Sequence, residues 1–456
     1  MSFNSWPYFI LLLLTVVLNY FTKNKNRIVL FNFSSFVFYC FWDFRFFLLL
    51  VFLTIFLKVY SLLNYSRFLS VIFIIIILLP LLLFKYLPWI GLITGSSNLK
   101  NIIFPIGISF YTFQSISFIV DFDRNKIIRS DVKVSNLLFF LSFFPKILSG
   151  PIEKYNYLCS QIKNYSLPNI FNINKGIVLI FIGLIKKMIV ADKLSMITDT
   201  FYSNVNKYDF YSSITSLFFY SWQLYLDFSG YIDIALGSSI LLGIKLSENF
   251  NTPYLSTSLK SFWQRWNITL HIWFVDYIYK GLLKKTKNNY SLVILLVFLI
   301  SGFWHGASVT FLYWAILHFV FYQFSVKIKS PIRVNNIIKT IITFTIVCLL
   351  WVPFRSENTL TILNVYKNLF MVNKNSSYTV SDLFINSGWS DIQLIMYCIL
   401  SLIFVVFEQT KLKSIYIDSF CNSKIKPLNT IFTIVFLIIL IFFGEIGSRT
   451  FYYFQF

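Results

Sequence analysis

Charge is scarce in this chain, and negative charge is scarcest. Only 12% of the 456 residues are charged, with 18 Asp and Glu against 39 Lys and Arg. A soluble domain carries about 25% charged residues, so this chain has too few to coat a water-facing surface. The five cysteines, Cys40, Cys159, Cys348, Cys398 and Cys421, lie far apart, with no CxxC and no Cys/His spacing. That excludes a disulfide framework and a zinc site. There is no GxxxxGK[ST], no GxSxG and no HExxH, so phosphate loops, hydrolase elbows and zincin chemistry have no support. Internal repeats and low-complexity linkers are also missing, and one domain over 1–456 is expected. Met1 to Pro7 lacks the basic flank of a signal peptide, so the first apolar run is expected to remain as a helix.

What the chain has is apolar surface. Hydrophobic residues make up 57% and aromatic ones 21%, in blocks such as Val71–Phe84 and Ile431–Phe443. About 20 apolar residues in a helix cross the hydrocarbon core of a bilayer. The runs are continuous rather than alternating, which selects helices over a membrane barrel. The expected fold is therefore all-α, a polytopic transmembrane helix bundle with about ten to twelve spans, some short or re-entrant. Spans are expected to start near Trp6, Ile28, Phe46, Phe68, Ile102, Val134, Ile177, Phe210, Tyr231, Ser291, Ser308, Ile337, Gln393 and Ile431.

The net charge is +21. In a soluble protein this would suggest nucleic acid. Here the cations gather in short loops, as the positive-inside rule expects, where they also favour anionic lipid. No nucleic-acid partner is expected. Thr22–Arg27, Lys58–Arg67, Asp121–Lys133, Lys280–Lys287, Lys327–Lys339 and Lys411–Lys426 are basic, whereas Gly91–Lys100 is nearly neutral. This alternation places the basic loops in the cytoplasm and both termini outside a cell membrane.

Two basic loops flank Ser291–Gln323, so this segment must be a hairpin, with its turn near Gly302–Ala307. The rising arm, Ser291–Trp304, makes about 21 Å of helix, short of a full crossing. His305 is therefore expected at membrane depth, where irregular backbone is tolerated only against protein or a wet cavity. A different pattern runs from Leu259 to Tyr277, where aromatic residues recur at helical spacing. It predicts one amphipathic helix at an interface or lining a cavity.

Only three histidines exist, His271, His305 and His318. An intramembrane His near neutral pKa suits proton transfer, but it also serves as packing glue between helices. His318 reads as helix packing, and His271 as an interfacial polar group one turn after Asn267. Asp227 and Asp233 flank a Ser229-Gly230 break expected to interrupt a helix, as at transporter binding sites, or to cap one. Lys146 ends an apolar run before Gly150-Pro151 and reads as a snorkelling cation before a turn.

At these residues the chain resembles the membrane-bound O-acyltransferase family, in particular its bacterial alginate O-acetylase branch. The resemblance rests on Phe38-Tyr39 with Phe41-Trp42-Asp43, Pro105 to Gln114, Phe144-Pro145-Lys146 with Ser149-Gly150-Pro151, and Asp227 to Tyr231 with Asp233. It continues through Glu248 to Asn251, Phe262-Trp263 with Arg265-Trp266-Asn267, Ser301 to Ala307, and Tyr453 to Phe456. It implies a ring of helices around a funnel, with His305 as the catalytic base. That base takes the acceptor hydroxyl's proton, the oxygen attacks a thioester, and no metal is needed. Asn267 falls on the family's second polar position, where many relatives carry His. The polar members of the other motifs, Gln114, Lys146, Asp227, Ser229, Arg265 and Trp304, are the expected substrate contacts. The implied donor is acetyl-CoA or an acyl carrier from the cytoplasm, and the implied acceptor an extracellular polysaccharide. A periplasmic or extracellular acetyl-handling protein is the implied partner. Two alternatives stay open. One is the same family with another cargo, such as D-alanine for teichoic acid or an acyl chain for lipid or protein. The other is a transporter or flippase.

Overall fold

The computed structural model describes residues 1–64, 66–95, 104–327, 335–370 and 378–388. The expected spans near Gln393 and Ile431, the basic stretch Lys411–Lys426, the terminal Tyr453–Phe456, Cys398 and Cys421 lie outside these residues. The described chain is helical, with isolated bridges and no strand. It forms two compact units, one built from Met1–Gly183 with Tyr231–Glu248, the other from Leu184–Gly230 with the described residues after Asn249.

Four helices among the described residues are long and apolar enough to cross a membrane: Phe44–Leu62, Arg67–Gly91, Val309–Lys327 and Asn336–Arg355. Trp6–Phe21 and Tyr290–His305 are apolar but shorter. Their outward faces carry side chains that water would not tolerate, such as Leu13, Phe52, Phe68, Ile75 and Ile341, all exposed. Surface of that kind is stable against lipid tails.

In the first unit, sequence sets the helix starts. Pro7 opens the first helix, where its missing N–H costs nothing. Asp43 caps the third, accepting from the Arg45 amide at 2.9 Å. The helix Arg67–Thr94 continues through Pro80 and Pro88. The core is aromatic: Phe3 stacks on Tyr231 at 4.7 Å, and Tyr8 donates to Ser238 Oγ at 2.8 Å. Gly176 and Gly237 let two helices touch, since a Cβ on Gly176 would lie 2.9 Å from the Gly237 carbonyl oxygen.

Two sequence expectations are corrected. Helices expected to start separately near Phe210 and Tyr231 are one helix, Phe210–Leu241, unbroken at Ser229-Gly230. Every residue from Tyr220 to Ser239 is buried, and packing on all sides overrides the weak helix preference of Ser and Gly. Conversely, the single amphipathic helix expected over Leu259–Tyr277 is divided. Leu259–Trp263 and Ile268–Trp273 are separate α-helices, followed by a π-helical turn at Phe274–Tyr279.

The second unit holds a buried ion triad. Lys187, 1% exposed and set in a π-helical segment, bonds Asp192 at 2.8 Å and Asp227 at 2.7 Å. Removing the cation would leave two carboxylates facing each other without water. Lys187→Met is expected to destabilise by about 3–5 kcal/mol, the range for breaking a buried pair. Thermal unfolding of detergent-solubilised protein measures it, and an unchanged midpoint refutes it.

Candidate functional site

The hairpin expected around His305 is present. Asn289 caps the rising helix Tyr290–His305, its side chain accepting from the Leu292 amide at 3.1 Å. His305 is the last residue of that helix, and Val309–Lys327 descends after a short turn. Gly302 brings the two arms together: a Cβ there would lie 2.8 Å from the Phe311 carbonyl oxygen. This close approach, one turn before the histidine, fixes where the imidazole emerges.

His305 is 6% exposed. Its ring is edge-on to Trp304 at 4.7 Å, Phe354 at 5.1 Å and Trp314 at 5.2 Å, and stacks on Phe311 at 6.1 Å. Aromatic walls on these sides limit the rotation of the imidazole.

Asn267 reaches the same place by another route. It sits in the left-handed region, φ 45°, between the two short helices. Asn tolerates this conformation better than most residues. Asn249 holds the turn from outside. Its carbonyl accepts from the Ile268 amide at 2.9 Å, and its side-chain oxygen accepts from Thr269 Oγ1 at 2.6 Å. The kink that divides the expected amphipathic helix therefore aims Asn267 inward. Its carboxamide is 3% exposed, and neither polar atom has a partner among the described residues.

Both residues line one cavity of about 270 Å³ within the second unit. Trp263, Trp314, Trp351 and Phe354 form much of its wall, and Lys260, Gln264 and His271 also face it. The indole N–H groups of Trp263 and Trp314 find no acceptor among the described residues. Among the described residues no Asp or Glu lines the cavity, and no group of His, Cys and carboxylates could hold a metal.

The other candidates fall elsewhere. Trp304 packs against His305 without lining the cavity. Arg265 lies in the turn before Asn267, its carbonyl accepting from the Asn251 amide at 3.0 Å, and it does not line the cavity. Asp227 belongs to the Lys187 triad. Ser229 is buried on the long helix with no partner for its hydroxyl among the described residues. Gln114 and Lys146 belong to the first unit; Lys146 Nζ donates to the Phe140 carbonyl at 2.7 Å. His318, fully buried, is boxed by Trp314 at 4.9 Å and Trp263 at 5.0 Å, as the packing reading expected. Sequence reasoning passed over Lys187, although a Lys-Lys pair inside an apolar run signals it. Trp351 and Phe354 gave no signal.

Residues 6–352 match the family described as MBOAT, membrane-bound O-acyltransferase family. The probable alginate O-acetylase of Pseudomonas aeruginosa is 32% identical over 393 residues, covering 79% of this chain and 74% of the relative. The peptidoglycan O-acetyltransferase of Helicobacter pylori is 33% identical over 306 residues, covering 60% and 58%. The teichoic acid D-alanyltransferase of Bacillus subtilis is 29% identical over 291 residues, covering 59% and 73%. With the family match extending through both helical units and across the cavity that holds His305 and Asn267, this chain belongs to the membrane-bound O-acyltransferase family.

Proposed function

We propose that this enzyme transfers acetyl groups from a cytoplasmic thioester, acetyl-CoA or an acyl carrier, to hydroxyls of an extracellular polysaccharide. One observation carries the reading. His305 and the unbonded carboxamide of Asn267 face one aromatic-walled cavity.

The chemistry follows from what each group can do. His305 accepts the proton of the acceptor hydroxyl as its oxygen attacks the thioester carbonyl. Negative charge then grows on the carbonyl oxygen. The Asn267 N–H donates to it, and a donor fixed in place before the reaction spends nothing on reorganisation. Apolar walls around the centre keep the local dielectric low, which strengthens that bond. Collapse of the tetrahedral species breaks the C–S bond and leaves the ester.

Cargo choice rests on charge. Among the described residues the lining includes Lys260, His271 and His305 and no carboxylate. A D-alanyl group would bring an ammonium into that lining without an anion to pair it, at a desolvation cost. An acetyl group brings no charge. Two of the relatives above carry O-acetylation in their names, which supports the same choice. The basic loops are assigned to the cytoplasm by the positive-inside rule, so the donor enters from that side and the acceptor from the other. A partner that handles acetyl groups or glycan outside the membrane fits this arrangement.

His305→Ala is expected to abolish transfer while leaving the folded, membrane-inserted protein intact. Mass spectrometry of cell-surface glycan reads the outcome, at about 42 Da for each acetyl ester or about 71 Da for each D-alanyl ester formed at a His-activated hydroxyl. Retained esters in the variant sink the assignment of His305, and the larger increment sinks acetyl as the cargo.

Asn267→Ala is expected to slow turnover about 10²–10³-fold, as for loss of one oxyanion donor. KM for the donor should change far less than kcat. A rise in KM alone, with kcat retained, would make Asn267 a binding contact only.

A further inference from the structure

The proton balance of thioester alcoholysis points to a second imidazole. A C–O bond forms, a C–S bond breaks, and the hydroxyl proton must end on sulfur. His305 takes that proton, but rings at 4.7–6.1 Å on four sides hold it where it meets the hydroxyl. The sulfur departs as a thiolate into largely apolar surroundings, where an unneutralised anion is costly. Some group on the cavity wall has to protonate it.

Few can. Among the described residues, the titratable groups lining the cavity besides His305 are Lys260, His271, Tyr279 and Tyr322. An alkyl thiol has a pKa of about 8.5, whereas Lys and Tyr lie at about 10 or above. An amine or a phenol of ordinary pKa is thus a weaker acid than the thiol it would have to make. An imidazolium is the stronger acid, and burial, which holds the His271 pKa below the usual imidazole value, makes its proton easier to give while reducing the fraction that carries one at neutral pH. His318 is sealed in its aromatic box and does not line the cavity. His271 is half-buried, and its amide bonds the Asn267 carbonyl at 3.0 Å, which sets it one helical turn beyond the carboxamide. On the adjoining π-helical turn, Asp276 is bonded to Lys280 at 2.7 Å.

We propose that His271 is the general acid for the leaving thiol, a second catalytic histidine on the wall that His305 faces. This rests on the acyltransferase reading above. In the cycle, His305 receives the hydroxyl proton and the imidazolium of His271 gives one to sulfur. Cavity water then returns the proton from His305 to His271, so that no net proton is taken up or released.

Leaving-group dependence tests it. Purified enzyme is given two acetyl donors, an alkyl thioester and an aryl thioester, the latter releasing a thiolate that needs no proton. His271→Gln is expected to slow the alkyl donor about 10²-fold, within the range for general acid catalysis, and to leave the aryl donor nearly unaffected. His271→Asn should behave alike. His305→Ala should lose both donors, so failure of the acyltransferase reading appears there and failure of this proposal does not. Equal loss with both donors in the His271 variants, or loss with neither, overturns it. Activity with the aryl donor also certifies that the variants are folded.

Discussion

A polar side chain in apolar surroundings must be bonded to a neighbour or be held ready for a ligand, and the second helical unit shows both outcomes. Lys187 is bonded to two carboxylates at 2.7 and 2.8 Å, which accounts for Asp192 and Asp227 together. Asn267 is buried to a similar degree, yet neither atom of its carboxamide is bonded among the described residues. An unsatisfied buried amide costs on the order of 1–3 kcal/mol.

Close backbone contacts position the residues that line the cavity. Gly302 lets the hairpin arms meet one turn before His305. Asn249, fully buried, pins the turn that carries Asn267 through the Ile268 amide and the Thr269 hydroxyl. The reacting groups stand at ends of helices, the places where backbone direction changes sharply and a side chain can be aimed across a cavity. Trp263, Trp314 and Trp351 then supply a wall that is apolar over its faces, with the N–H groups of Trp263 and Trp314 unbonded among the described residues.

Departure from the family pattern at Asn267 is physically informative. A carboxamide does not titrate near neutrality, so Asn267 can donate and accept hydrogen bonds but cannot serve as a base. The imidazoles that line the cavity among the described residues stand at other positions, His305 and His271. The alignments cover between 58% and 74% of the three relatives' lengths, so likeness to them establishes the family and leaves cargo to be argued from the cavity's own charges.

The sequence alone determined the solvent and the class of structure, because both are sums. Long apolar runs and few charges add up to a helical membrane protein whatever the packing. It also located the hairpin that ends at His305, because basic stretches on both flanks of Ser291–Gln323, read by the positive-inside rule, call for a chain that turns back between them. The tertiary structure decided the rest. Whether Ser229-Gly230 breaks a helix depends on what surrounds it, and burial on all sides kept it straight. Whether Leu259–Tyr277 is one helix depends on Asn249, close to Asn267 in space and eighteen residues away in sequence. Sequence periodicity cannot see that bond. Asp227 reads in sequence as a substrate contact, and the fold bonds it to Lys187, 40 positions away. Contacts between distant segments choose which buried polar groups are paired and which stay open, and only folding brings those segments together.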